Sequence, residues 1–315
     1  MLKSRLVLFS IALVIILVLV CYRRVGREAK PAVTFMAVGD VLLDRGVAKK
    51  ISANGRDWPF AKVSPILQSA DITFCNLECP FSAKGVKVNK PFCFKADPAN
   101  GKCLADVGFD IVSLANNHSL DCGRTGLVET MRCLDDLGIR FVGAGDTLND
   151  SKLPVVVEQH GLRIAFLARN TLMPEGIWLR EDAPGTAGLD ESTICREIAD
   201  ARRLADVVIV SLHWGVEYRE NPGEAQRMLA RKIIDAGADL VLGHHPHVVQ
   251  PVETYRGGVI AYSLGNFLFD SPNPNCKGSM ILKCKLSKSG VADVEIIPIK
   301  ITGCRPILGD KGGVQ

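Results

Sequence analysis

No Cys-x-x-Cys pair occurs among the eleven cysteines, so the compact thiolate spacing of a zinc ribbon is excluded. There is no internal repeat and no low-complexity tract, which argues against solenoid, array and disordered-segment architectures. Strong charge of either sign is also missing. A net charge of +4, from 38 basic and 34 acidic residues, gives no electrostatic case for a nucleic-acid partner, and none is expected. What is present is ordinary for a globular chain: 47% hydrophobic and 23% charged residues in 315. That length suits an α/β enzyme domain of roughly 200–250 residues with appendages. The cysteines leave two readings open. Cys93 with Cys103, and Cys75 with Cys79, could pair in an oxidising compartment, or the thiols stay free as small buried hydrophobes.

The N-terminus carries the one long apolar run. Residues 6–22, LVLFSIALVIILVLVCY, contain no charge and only Ser10 as a clearly polar side chain. Lys3 and Arg5 precede the run, and Arg23, Arg24, Arg27 and Lys30 follow it. This length is near the lower end of the ~17–25 residues that cross a bilayer. A cleaved signal peptide has a shorter apolar region and a small-x-small cleavage site, whereas Val18 and Val20 precede Cys21. Val20 also argues against a lipoprotein. Residues 1–30 therefore read as an uncleaved single-span anchor with a basic linker. Basic residues nearly balance across the run, so charge does not orient it.

Beyond the linker, apolar runs of strand length alternate with amphipathic runs of helix length, the pattern of βαβ units. Strands are expected at 33–38, 72–77, 111–115, 207–212, 240–243 and 259–264, and helices at 59–70, 126–138, 191–205 and 223–237. Residues 155–170 read as a hairpin turning at His160-Gly161, and two closing strands flank Ser289-Gly290. Parallel units framed by antiparallel pairs suggest an α/β protein with a mixed sheet system rather than a simple Rossmann sheet. A main domain over 31–272 and C-terminal strands over 273–315 that complete it are expected.

The polar residues fall just after the strands. Asp40, Glu78, Asn116-Asn117-His118, His213, His244-His245-Pro246-His247 and Asn266 each follow a buried run. In open α/β sheets the carboxyl ends of the strands line the ligand crevice, so these groups converge if the strands are parallel neighbours. Three of the six histidines lie at 244, 245 and 247. A metal site, an acid/base site and a turn with satisfied imidazoles all fit that cluster. Taken jointly, hard oxygen donors plus imidazoles suit divalent Mn, Fe, Zn or Mg, as many as two ions, in a hydrolytic centre. Trp214 and Phe267, each beside a strand end, read as packing support.

Six ordered blocks, FMAVGDVLLDRG, NLECPFS, SLANNHSLDCG, VVIVSLHWGVEY, LVLGHHPHVVQPVE and AYSLGNFLFD, resemble the bacterial capsule synthesis family of the poly-γ-glutamate CapA and PgsA proteins. That family is similar to calcineurin-like metallophosphoesterases, and the resemblance implies a two-sheet sandwich flanked by helices with metals at strand ends. It implies metal ligation by Asp40, a bridging Glu78, Asn117, His213, His245 and His247, with His118 catalytic and His244 a bystander. If residues 244–247 stay extended, alternation sends His245 and His247 to one side and His244 to the other. The sequence departs from the phosphoesterase pattern at Leu42, where an imidazole is usual, at NLE in the second motif, and at Ser119, where an acid usually follows the Asn-His pair. Asp121 is the candidate substitute for that acid.

The resemblance further implies a membrane protein with its large domain outside the cytoplasm. It would act in the synthesis, export or retention of an anionic polymer such as poly-γ-glutamate, alongside synthetase and export subunits. Lys84, Lys87, Lys90 and Lys95, just after Glu78, could meet such a polymer, or form an ordinary solvated loop. Two other readings stay open: a metal-dependent phosphoesterase acting on an envelope molecule, and a fold that merely binds polymer.

Overall fold

The computed structural model describes residues 32–172 and 180–309. The expected anchor at 6–22 lies outside the described residues, and among those described no helix is long and apolar enough to cross a membrane.

The chain enters through β1 (Val33–Val41), β2 (Ile72–Leu77), β3 (Ile111–Ser113) and β4 (Arg140–Val142), then the short β5 (Ala144–Gly145). The hairpin β6 (Val155–Gln159) and β7 (Leu162–Asn170) follows, then short β8 (Gly185–Thr186), β9 (Val207–His213) and β10 (Leu240–His244). The remainder is β11 (Val252–Tyr255), β12 (Gly258–Ala261), β13 (Asn266–Leu268), β14 (Gly278–Ser287), β15 (Gly290–Thr302) and β16 (Arg305–Leu308). One sheet runs β16-β15-β14-β1-β2-β3-β4, with β13 also on β1; the other runs β11-β12-β10-β9-β7-β6. In the first, β1 to β4 are parallel, while β14, β15 and β16 join antiparallel. In the second, β12, β10, β9 and β7 are parallel and β11 and β6 close the edges antiparallel.

Strands covered on both faces need apolar side chains at every position, and β1 and β9 are buried throughout. Phe35 and Ala37 of β1, Phe74 of β2, Phe166 of β7 and Ile209 of β9 fill the space between the sheets. There the Phe74 and Phe166 rings stack with centroids 6.1 Å apart. Their alternate neighbours face outward. Met36 and Val38 pack with Val47, Leu104, Leu127 and Leu134 from the helices over one sheet. Val208, Val210 and Leu212 pack with Ile198 and Ile233 over the other. The layers are therefore helix, sheet, sheet, helix, as the resemblance implies.

One expected helix is much shorter. Only Ser64–Leu67 is helical within 59–70, because Pro65 lacks an N–H and disfavours helical geometry in the residue before it, so it can sit only in a first turn. The helix Arg45–Asn54 was not expected at all; its polar surface obscures the two buried positions, Val47 and Ile51.

Candidate metal centre

The strand ends set the site. Asp40 near the end of β1 lies in register with Asn76 of β2 on one side and with Asn266 of β13 on the other. The crossing of β1 with the segment before β13 is so close that a Cβ on Gly39 would lie 1.8 Å from the Gly265 carbonyl oxygen. Asp40 N–H donates to that same oxygen at 3.0 Å. Glu78 follows β2 directly, its N–H bonded to Val41 O at 2.9 Å. From the second sheet, β9 ends at His213 and β10 at His244, which are paired in register. Gly243 is required there, since a Cβ would meet Tyr262 O at 1.9 Å.

All the expected ligands meet at this seam. Asp40 Oδ2 lies 3.3 Å from His247 Nδ1 and accepts from His245 N–H at 3.3 Å. Glu78 Oε1 is 3.7 Å from His247 Nε2 and 3.9 Å from His118 Nε2. Asn117 Oδ1 lies 3.0 Å from His213 Nε2. One ligand atom each from Asp40, Glu78 and His213 fall within 4.8 Å of one another, and all three residues are buried. Asn76, which sequence reasoning passed over, donates to Asp40 Oδ1 at 2.8 Å and accepts from Asn116 at 3.0 Å. Its signal was only positional: two residues before Glu78, on the strand paired with β1.

Two expectations need correction. Residues 244–247 are not extended: His245 and His247 have positive φ, 94° and 59°. Alternation therefore does not apply, and His244 is no bystander, because its Nδ1 lies 3.3 Å from Asp40 Oδ1 in a fully buried position. The basic segment is likewise mostly engaged within the chain. Lys87 donates to Cys93 O at 2.9 Å, and Lys95 to Ala83 O and Gly85 O at 3.0 and 2.8 Å. Lys90 turns inward, donating to Asn117 O at 2.8 Å and pairing with Asp121. Lys84 stays exposed. The ten described cysteines are free thiols, so neither suggested pairing is formed.

The sequence profile described as "Bacterial capsule synthesis protein PGA_cap" matches residues 34–271. The chain belongs to that family. It is 35% identical over 272 residues to the "PGA biosynthesis protein CapA" of Bacillus subtilis (strain 168), covering 85% of this chain and 72% of that protein. It is 33% identical over 276 residues to the "Capsule biosynthesis protein CapA" of Bacillus anthracis, covering 85% and 67%. Among solved structures, a hypothetical protein from Thermus thermophilus is similar at a TM-score of 0.50 and 14% identity, over 85% of this chain and 99% of that one. That likeness concerns the fold alone.

In this PGA_cap domain the buried charges divide by environment. Burial opposes the Asp40 charge, but hydrogen bonds and attraction from His244 and His247 outweigh it and hold the carboxyl well below the usual carboxylate range. Burial, reinforced by the Asp40 charge, pushes Glu78 well above that range. Burial and then the adjacent His247 push His245 down to about 3, and burial with His245 nearby pushes His213 well down. Burial also opposes the charge on His247, yet Glu78 and Asp40 carry it up to about 9.

The donor set fits a divalent cation. Glu78 Oε1, His245 Nδ1 and His244 Nε2 are buried without a hydrogen-bond partner. Each such orphan costs about 1–3 kcal/mol, and a cation would give the lone pairs at Glu78 and His245 a partner. Carboxylate oxygen, amide oxygen and imidazole are the ligands that Mn, Fe, Zn and Mg sites use. Metal ligation requires Glu78 and His247 to be unprotonated, while both are raised in the metal-free chain. Metal uptake at neutral pH is therefore expected to release protons, and affinity to rise with pH up to about 9, as His247 loses its proton. Titration calorimetry in buffers of different ionisation enthalpy checks this. Affinity independent of pH between about 6 and about 9 would contradict it.

Beside the ligands stands a proton-handling group. His118 Nδ1 lies 2.8 Å from Asp121 Oδ2, so with Nδ1–H donating, Nε2 faces Glu78 and the centre. Asp121 is held by the Phe94 N–H at 2.6 Å and by Lys90, and the Phe94 ring stacks on His118 with centroids 4.1 Å apart. Burial lowers the His118 pKa against the pull of Asp121. Trp214, in contrast, belongs to the outer core. Its Nε1–H donates to Tyr262 O at 3.0 Å and its ring stacks on Tyr262. Trp214→Phe is expected to cost about 1–3 kcal/mol by leaving that carbonyl unpaired. Denaturant unfolding should show the loss, and metal analysis should show unchanged content.

Proposed function

We propose that this chain is a membrane-anchored capsule-biosynthesis protein in which a divalent-metal centre acts on poly-γ-glutamate or a similar anionic polymer. Family membership and the names of the two Bacillus relatives support the polymer. The apolar run at 6–22 with basic flanks supports an anchor, while a main domain outside the cytoplasm, beside synthetase and export subunits, rests on the family resemblance. The observation that carries the metal reading is the buried convergence of Asp40, Glu78 and His213 with lone pairs left unpartnered at Glu78 and His245.

When bound, the metal supplies Lewis-acid polarisation of a substrate oxygen and activation of water. The chain's own residues do the rest. Asp40 brings a fixed negative charge; Asn117 and His213 add neutral donors; His118 holds or delivers a proton at Nε2, oriented by Asp121; Phe94 covers one face of that imidazole against water.

The test is complementation. In a capsule-forming host lacking its own copy, the wild-type chain should restore cell-associated polymer, and Asp40→Ala, expressed at the same level in the membrane fraction, should not. Equal polymer from both would refute a metal-dependent role. The His118–Asp121 pair beside Glu78 also favours a second reading, metal-dependent phosphoester hydrolysis in the envelope. Turnover of a chromogenic phosphodiester by the purified, metal-loaded chain, lost in His118→Gln, would select it. No turnover would leave the polymer reading.

A further inference from the structure

The geometry points to Glu217 as a protein ligand of a second divalent cation, held together with His245 and His247 on the solvent side of the first. This rests on the metal-centre reading above and extends it to a residue outside the expected ligand set.

A carboxylate oxygen of Glu217 and ring nitrogens of His245 and His247 all lie within 4.8 Å of one another, close enough for one ion to touch all three. This group is separate from Asp40, Glu78 and His213, yet it adjoins them: the His213 and His245 ring centroids are 4.9 Å apart, and Glu78 Oε1 is 3.7 Å from His247 Nε2. Glu78 can therefore serve both ions. Two imidazoles alone would offer a dication no charge of their own, whereas Glu217 adds a hard anionic oxygen.

The backbone holds Glu217 in place. Trp214 N–H donates to His244 O at 3.1 Å and Tyr218 N–H to Pro246 O at 2.8 Å, so the loop bearing Glu217 is fastened on both sides to the histidine turn. Tyr218, His245 and His247 all have left-handed φ, at 66°, 94° and 59°. Such conformations cost non-glycine residues of order 1–3 kcal/mol each and collect where surrounding structure fixes a functional geometry. An independent sign of a ligand is His245 itself, 6% exposed with Nδ1 unpartnered. Glu217 is exposed while both histidines are buried, so the carboxylate closes this position from the solvent side.

The full-length chain in detergent, stripped with a chelator and titrated with manganese(II), tests the assignment by bound-metal analysis and by electron paramagnetic resonance. Wild type should bind two ions with an interacting-pair spectrum. Glu217→Gln, which keeps the shape and removes the charge, and Glu217→Ala should each weaken the second ion by at least about tenfold, leaving a single-ion spectrum. Two ions bound to both variants as tightly as to wild type would overturn the assignment, as would a wild type that takes up only one. A wild type that binds none would overturn the metal-centre reading itself.

Discussion

Alanine at position 39 is expected to cost the protein both stability and its metal. The added Cβ would lie 1.8 Å from Gly265 O, 2.8 Å from Gly265 C and 3.1 Å from Leu264 O, all backbone atoms that no rotamer change can move aside. Relief requires β1 and the segment leading into β13 to separate. That breaks the Asp40 N–H bond to Gly265 O and shifts Asp40 against Asn266. Overpacking of a closed core typically costs about 1–3 kcal/mol. Here the displaced residue is a ligand, so divalent-metal affinity should fall by at least about tenfold in the fraction that folds. Gly278→Ala serves as the control, because a Cβ there meets nothing within 4 Å. Denaturant unfolding and bound-metal analysis of both variants read the effect. Wild-type stability and metal content in Gly39→Ala would show that the strands do not cross as described.

The second large effect separates chemistry from binding. His118→Gln should lower the metal-dependent activity by about 10²–10⁴, the usual contribution of a positioned general acid or base, while metal content stays at the wild-type level. The separation follows from position. His118 Nε2 is 3.9 Å from the nearest Glu78 oxygen, whereas its firm contact is Asp121 at 2.8 Å, away from the ligand groups. Cell-associated polymer in the complementation strain, measured beside bound metal in the purified chain, distinguishes this outcome. Parallel loss of metal and polymer would make His118 a ligand rather than a proton carrier.

The legible parts of this fold are those where one physical demand dominates the sequence. β1, β2, β9 and β10 are covered on both faces and therefore appear as unbroken apolar runs, and the groups just beyond them converge because β1 with β2 and β9 with β10 are parallel neighbours whose two sheets meet at these ends. The hairpin at 155–170 declares itself through His160-Gly161, both at positive φ. The helix Arg45–Asn54 was hidden because a surface helix with two buried positions has little apolar periodicity to show.

At the site, legibility ended where pairing register and loop conformation took over. Asn76 enters through its register with Asp40, which composition cannot reveal. The resemblance makes His244 a bystander, but the left-handed residues that follow it fold the turn so that all three imidazoles reach the centre. Glu217 lies four residues beyond His213 in a loop with no periodic pattern, and the bonds from Trp214 and Tyr218 to the histidine turn help hold it near. Lys90 reads as one of four cations on a basic loop, yet its partner Asp121 draws it inward.

The claim that the strand ends build a metal centre is tested most directly by anomalous diffraction at the manganese or zinc absorption edge, from crystals of the protein grown with that ion. An anomalous peak within ligand distance of Asp40, Glu78 and His213, about 2.0–2.3 Å from oxygen and nitrogen donors, is the expected result. Full occupancy by the ion elsewhere on the surface, with no peak among those three residues, would contradict it.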